Sequence, residues 1–281
     1  MKISILGTGV IGSAITEALL KAGNDVIVYN RTSSKTEPLV KLGAIAVSTV
    51  KQAIEESDTI VLAVYGGEIL REVLLNDNVK TLLNGKKLLT VATSEAEEIK
   101  AISSEISLLG GNLSELAIMS SSVEVKAKQG YALLGCEKTY ELFWKEVMEA
   151  IGDIVYVGEV GSPAIASIPL IIGEALRNLH QAYSVAFAIK MNIPQEVIAR
   201  DTSMFIPGSE EVVPALFSRD YSKGMATLEG YKDTIEIAYN ALKSAGLPIK
   251  IFEDILKLYD KAIKLGFADK AESALMEALL D

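Results

Sequence analysis

"MKISILGTGVIGSAITEALLKAGNDVIVYNRTSSK", Met1–Lys35, holds two short apolar runs, Lys2–Leu6 and Asp25–Tyr29, separated by a glycine loop and a helical segment. The loop, "GTGVIG" at residues 7–12, is a G-x-G-x-x-G pattern. Alone the pattern is weak. Here it follows a strand, opens a helix and leads to a second strand, the context in which such a loop binds a dinucleotide. Gly7 permits the tight turn, Gly9 lets the backbone approach a pyrophosphate, and Gly12 lets the helix pack close to the sheet. The helix amides favour the anion. Gly7, Thr8, Gly9, Val10, Ile11 and Gly12 are therefore candidate cofactor contacts.

The end of the second strand narrows the cofactor. An NAD-selective site places Asp or Glu there to hold the ribose hydroxyls. This chain has Asn30, followed by Arg31, Thr32, Ser33, Ser34 and Lys35. An acid would repel a 2′-phosphate. Arg31 can grip one through its planar fork, Asn30, Thr32 and Ser33 offer hydrogen bonds, and Lys35 adds charge. The loop predicts NADPH rather than NADH, with a solvated basic loop as the plain alternative. Further along, "AVYGGE" (Ala63, Val64, Tyr65 onward) and Thr93 of "VATSEAEE" lie at carboxyl ends of expected strands, where cofactor-contacting loops belong. Ser94 is expected to cap the following helix.

Outward from this unit, strands are expected at Ile45–Val47, Thr59–Val64, Leu88–Ala92, Glu115–Met119, Tyr131–Leu134 and Ile154–Val157. Helices are expected between them, at Val10–Ala22, Lys35–Leu42, Val50–Glu56, Glu68–Leu75, Ala96–Leu108 and Lys138–Ala150. The strands are short and continuously apolar, as parallel strands buried on both faces are. After Gly161 strand signals stop, and the chain reads as helices beginning with one long helix, Pro163–Lys190, capped by Ser162. The fold class is α/β, an N-terminal Rossmann doubly wound sheet (residues 1–161) followed by an all-α domain (residues 162–281) joined through the long helix.

Composition excludes several classes. The 281 residues are 49% hydrophobic and 23% charged, globular values that argue against disorder. Acids outnumber bases, 37 to 27, for a net charge of −10, which argues against general affinity for nucleic acid or anionic membranes. One cysteine, Cys136, allows no intrachain disulfide, and with one histidine, His180, makes a zinc site improbable. No apolar run has the length of a membrane span, and the N-terminal apolar run reads as a strand rather than a secretory signal. The expected location is cytoplasmic.

With these pieces assembled, the chain resembles the imine reductases, within the 6-phosphogluconate dehydrogenase and β-hydroxyacid dehydrogenase-like superfamily. The likeness rests on Gly7–Ala44, "LAIM" (Leu116–Met119), "MATLEGY" (Met225–Tyr231) and "GFADKAESALMEAL" (Gly266–Leu279). It implies NADPH-dependent reduction of C=N bonds, typically in cyclic imines. It also implies a domain-swapped homodimer whose helical domains wrap each other's long helices. Related dehydrogenases carry a catalytic lysine early in the long helix and an asparagine one turn later. Matching "GEVGSPAIAS" places Ser167 and Ile171 at those positions. Imine reductases commonly carry Asp or Tyr there, and this chain departs from that too. The dehydrogenases' substrate-binding serine and two glycines correspond to "SSS", so Met119, Ser120, Ser121 and Ser122 are candidate substrate contacts.

A preformed iminium needs little acid help, so Ser167 suits it better than a ketone. Counting 100° per residue, Glu174, Asn178 and Gln181 share a stripe with Ser167. Glu174 is a candidate to steady a substrate cation, and Asn178 a candidate substrate contact. The alternative is a stripe facing solvent or paired with Arg177 or His180. Pro169 predicts a kink beside Ser167. Tyr183 is a candidate proton donor, with packing as the alternative; His180, Tyr131, Trp144 and Cys136 read as structural. Met204, Phe205, Phe217 and Tyr221 are candidate pocket walls. Two competing functions stand beside imine reduction: reduction of an aldehyde or keto acid, and NADPH binding without efficient turnover.

Overall fold

The computed structural model describes all residues except Phe205, Pro207, Gly208, Lys223 and Met225, and the side chain of Glu210. Phe205, an expected pocket wall, and Met225 of the "MATLEGY" stretch thus lie outside the described residues. The chain divides into two units, Met1–Ser167 and Ile168–Asp281.

In the first unit, β1 (Lys2–Leu6), α1 (Val10–Lys21) and β2 (Asp25–Tyr29) form the leading βαβ element. There follow α2 (Glu37–Val40), β3 (Ile45–Ala46), α3 (Val50–Glu56), β4 (Thr59–Leu62), α4 (Gly66–Leu74), β5 (Lys87–Thr90) and α5 (Ala96–Leu108). Then come β6 (Asn112–Ile118), α6 (Ser122–Lys126), β7 (Gly130–Gly135), α7 (Glu141–Met148), β8 (Gly152–Gly158) and α8 (Ser162–Ala166). The strand order is β3-β2-β1-β4-β5-β6-β7-β8. The first six strands are parallel; β7 runs antiparallel to β6 and pairs in parallel with β8. This is the expected doubly wound α/β sheet, extended by a reversed pair.

Alternation along each strand sends side chains to opposite faces. Ile3, Ile5, Val26 and Val28 pack on one face with Val61, Leu116 and Trp144, while Leu6, Ile27, Ile60 and Leu62 pack on the other with Leu70, Ile99 and Ile102. Both faces are covered, as continuous apolar strands require. Ser4 is one of the buried polar strand residues, and its hydroxyl donates to the Ala53 carbonyl at 2.6 Å.

The second unit is helical: α9 (Ile168–Met191), α10 (Gln195–Ser203), α11 (Ser209–Ser218), α12 (Leu228–Ser244), α13 (Lys250–Ala262) and α14 (Glu277–Leu280). Its core gathers Ile171, Ala175, Val185, Leu228, Ile235, Phe252, Ile255, Tyr259 and Leu275. Thr227 caps α12 by accepting from the Gly230 amide at 3.1 Å.

Three local expectations change. The long helix is two, broken at Ser167, and Pro169 falls in the first turn of α9, where its missing N–H costs nothing. The cap of α8 is Gly161 rather than Ser162, because the chain turns there through φ 92°, a left-handed conformation glycine adopts without strain. Ser94 does not cap α5: that helix starts at Ala96 behind Glu95, and the Ser94 hydroxyl is buried without a partner.

Ile235 is fully buried on α12. Ile235→Ala should destabilise the helical unit by about 3 kcal/mol, through lost transfer energy and the cavity left behind. Denaturant unfolding followed by circular dichroism measures this, and a loss under about 1 kcal/mol would mean that α12 packs loosely.

Candidate cofactor and substrate site

The glycine loop is built by contact. Gly7 turns at φ 100°, and a Cβ there would stand 2.2 Å from the Ala63 carbonyl oxygen. A Cβ on Gly12 would stand 2.0 Å from the Gly7 oxygen. These two positions are closed by the protein itself. Gly9 is different: a Cβ there meets nothing within 4 Å. Gly9 caps α1 with no side-chain hydrogen bond, and Val10 beside it is 70% exposed. Open space in front of uncapped helix amides fits a pyrophosphate. Ile11 is half-buried behind them.

The neighbouring loop is braced against this one. The buried Thr8 hydroxyl donates to the Lys35 carbonyl at 3.3 Å, and Ser13 donates to the Thr8 carbonyl at 3.1 Å. The Asn30 side-chain oxygen accepts from the Thr32 amide at 2.9 Å, an Asx turn that shapes the loop. Arg31, Thr32, Ser33 and Lys35 all stand exposed beyond it, and among the described residues neither Arg31 nor Lys35 is held in an ion pair. Ala63 joins the sheet through its amide to the Leu6 carbonyl at 2.8 Å. Val64 is half-buried, Tyr65 is exposed at the start of α4, and Thr93 is exposed after β5. These residues fit a nicotinamide dinucleotide.

The serine triplet has local tasks. Ser120 Oγ accepts from the Tyr131 amide at 2.7 Å, joining the end of β6 to β7. Ser121 forms a capping box with Glu124 at the start of α6, and Ser122 is the first residue of that helix. Met119, half-buried, donates its amide to the Tyr131 carbonyl at 2.9 Å. The Ser120 and Ser121 hydroxyls donate to the Tyr131 carbonyl and to Glu124, so a substrate contact from either would use the lone pairs left over.

Ser167 ends the first unit. Its hydroxyl donates to the Ala164 carbonyl at 2.9 Å, and its amide donates to the Pro163 carbonyl. The proton is thus engaged, while the oxygen's lone pairs are available. Ile171, at the dehydrogenase asparagine position, is buried in the helical core.

The rest of the expected stripe turns inward. Asn178 and Gln181 are buried in the helical unit, and Gln181 donates to the Ser209 hydroxyl at 3.2 Å. Glu174 is ion-paired with Arg177, and its charge helps raise the pKa of the buried Tyr231 hydroxyl, after the larger effect of burial. Asn178, read as a substrate contact, is instead part of a polar seam in the core. The helix is amphipathic toward its own unit, so a polar stripe did not mean an open one. Tyr183, nine residues beyond Glu174 and about 14 Å along α9, is 52% exposed. It borders a shallow depression of about 490 Å³ with Leu179, Ile251, Asp254 and Leu258. Within one chain, Glu174 and Tyr183 are not brought to one point. Met204 is exposed, and Tyr221 is buried with its hydroxyl donating to Glu277 at 2.6 Å, a packing role.

One acid escaped the sequence reading. Glu115 on β6 is 4% exposed, and its Oε2 accepts from the Gly161 amide at 2.6 Å. Burial pushes its pKa up to about 7, against the opposing effects of the Gly161 and Ala164 amides and of Lys100. Its place as the first residue of an expected strand, directly before the apolar run Leu116–Met119, was the available signal.

A sequence model described as the NAD binding domain of 6-phosphogluconate dehydrogenase matches residues 2–159. The chain belongs to that family. It carries an NAD(P)-binding domain, and the family's members are NAD(P)-dependent oxidoreductases of the β-hydroxyacid dehydrogenase type. Glyoxylate/succinic semialdehyde reductase 2 of Arabidopsis thaliana is 25% identical over 286 residues, covering 99% of this chain and 79% of that protein. Among solved structures, the 3-hydroxyisobutyrate dehydrogenase of Salmonella typhimurium superposes with a TM-score of 0.89 at 17% identity, covering 99% of both chains. An imine reductase from Myxococcus stipitatus in complex with NADP+ superposes at 0.69 and 22%, covering 99% of this chain and all of that one. No helix of the described residues is long and apolar enough to cross a membrane, and they hold no cluster of three metal-binding side chains.

Glu115 sets a pH dependence. Its folded pKa of about 7 lies above the ordinary 4.5, so folding takes up a proton between those values. The stability this contributes is complete below about pH 4.5 and is lost as pH rises through about 7, roughly 3 kcal/mol in all. Glu115→Gln should flatten this part of the curve. Urea unfolding across about pH 5 to 7.5 tests it; identical slopes in both proteins would refute the assignment.

Proposed function

We propose that this protein is an NADPH-dependent reductase of C=N bonds, acting on a preformed iminium ion such as a protonated cyclic imine. The observation that carries this is Ser167, standing where related dehydrogenases have a lysine, with its only hydroxyl proton given to the Ala164 carbonyl. In that state the oxygen accepts hydrogen bonds and does not donate. An acceptor suits the N–H of a protonated imine, which needs orientation and no further proton. A ketone needs a proton on its developing alkoxide, and neither Ser167 nor Ile171 can supply one.

When bound, the nicotinamide cofactor supplies the hydride. Arg31, Thr32, Ser33 and Lys35 would take the ribose phosphate, and the amides behind Gly9 the pyrophosphate. Ser167 would hold the substrate nitrogen so that the electrophilic carbon faces the donor, a contribution of positioning. Glu174 and Tyr183 play no direct part in this reading, because one is paired with Arg177 and the other lies farther along the helix.

The second reading, reduction of an aldehyde or keto acid, is favoured by the higher superposition on 3-hydroxyisobutyrate dehydrogenase and by the likeness to a semialdehyde reductase. It requires a proton source that Ser167 does not provide. A homodimer is supported by Leu176, Tyr183, Phe187 and Met191, apolar residues 39–60% exposed on one face of α9. Isolated monomers rarely leave such a stripe bare.

NADPH consumption should be followed with a panel of cyclic imines, aldehydes and keto acids. Turnover of imines, with Ser167→Ala lowering kcat about tenfold, is the expected result; turnover confined to keto acids would reject this function in favour of the second. Arg31→Glu should weaken NADPH binding about 100-fold and NADH binding far less. Equal affinities before and after the change would reject the 2′-phosphate assignment.

A further inference from the structure

The turn that delivers Ser167 is fastened from below by a buried acid. Glu115 sits in the middle of β6, between Ser114 and Leu116, where its carboxyl is removed from water. Burying a carboxyl costs several kcal/mol unless hydrogen bonds offset it. Here the offset comes from across the chain: the Gly161 amide donates to Oε2 at 2.6 Å, and the Ala164 amide faces the same carboxyl and favours its charged form. Lys100 on α5 is the charged group whose field reaches it, and its stem packs against Gly161. The same Ala164 whose N–H faces Glu115 gives its carbonyl to the Ser167 hydroxyl. One residue thus links the acid to the hydroxyl, all within the first unit.

We propose that Glu115 is a positioning residue that acts through the Gly161–Ala164 turn to fix the Ser167 oxygen as a hydrogen-bond acceptor. This rests on the reading of Ser167 as the group that orients substrate. An acid is suited to the task because its carboxyl accepts from the Gly161 amide and faces the Ala164 amide of the same turn. A neutral amide offers one acceptor oxygen and turns N–H donors toward the other amide. An apolar side chain offers none, leaving both amides unpaired in a buried place.

The test uses the full-length protein with Glu115→Ala and Glu115→Gln. Hydrogen exchange of the amides of Gly161, Ala164 and Ser167 reads the turn, nicotinamide fluorescence reads NADPH affinity, and steady-state assays read turnover. In Glu115→Ala, exchange at all three amides should speed up at least about tenfold, and kcat should fall about tenfold. KM and the NADPH Kd should stay within about twofold. Glu115→Gln should fall between it and the natural protein, since it keeps one acceptor. Unchanged exchange would overturn the proposal, as would faster exchange with unchanged kcat, or a loss of NADPH affinity as large as the loss of turnover. If no imine or carbonyl compound is reduced, the reading of Ser167 fails on its own. The exchange rate at the Ser167 amide then still decides whether Glu115 holds this segment.

Discussion

The approach of residue 12 to residue 7 governs the nucleotide unit. A Cβ at Gly12 would lie 2.0 Å from the Gly7 oxygen, inside any tolerable contact. Without side chains there, the first turn of α1 drops onto the loop that leaves β1, and the helix axis comes to point past Gly9. That places free amides at the carboxyl end of β1, beside the β1–β4 pair at which the strand order reverses. Helix placement and the open space at Gly9 follow from this one close contact.

The two loops around that space are ordered by different means. The glycine loop is held by backbone packing. The Asn30–Lys35 loop is held by an Asx turn and by the Thr8 hydroxyl reaching the Lys35 carbonyl. Such bracing reduces the ordering cost that a ligand's phosphate would otherwise meet. Selectivity between the two nicotinamide dinucleotides then depends on charge presented by an already shaped loop.

Much of the first unit was legible because its signals are local. β1, β2, α3 and α5 lie where apolar runs and glycine turns say they should. Features set by distant partners were not. Ser94 has an adequate capping side chain, yet the helix begins one residue too late for it. Asn178 and Gln181 look like a cleft-lining stripe by periodicity, but their partners belong to the same helical unit. Glu115 looks like an ordinary polar residue in a strand, because its amide donor, Gly161, arrives 46 residues later. Periodicity reports which residues share a face; it does not say what that face meets. The glycine loop was readable because its pattern lies within six residues, whereas Ser167 draws its meaning from Ala164 and, beyond it, from β6.

The eight-stranded sheet has two edges, β3 and β8. β3 spans only two residues. β8 is bounded by glycines at 152 and 158, both turning through left-handed φ angles, and the Lys138 ammonium covers the Tyr156 ring at 4.3 Å. The β3 edge offers too short a row of amides and carbonyls to seat another strand, and the glycine turns confine the β8 edge to seven residues. In a crowded solution of this protein, strand-to-strand addition is thereby disfavoured at β3, and helix surfaces, where side chains rather than backbone choose the partner, gain weight in its self-association.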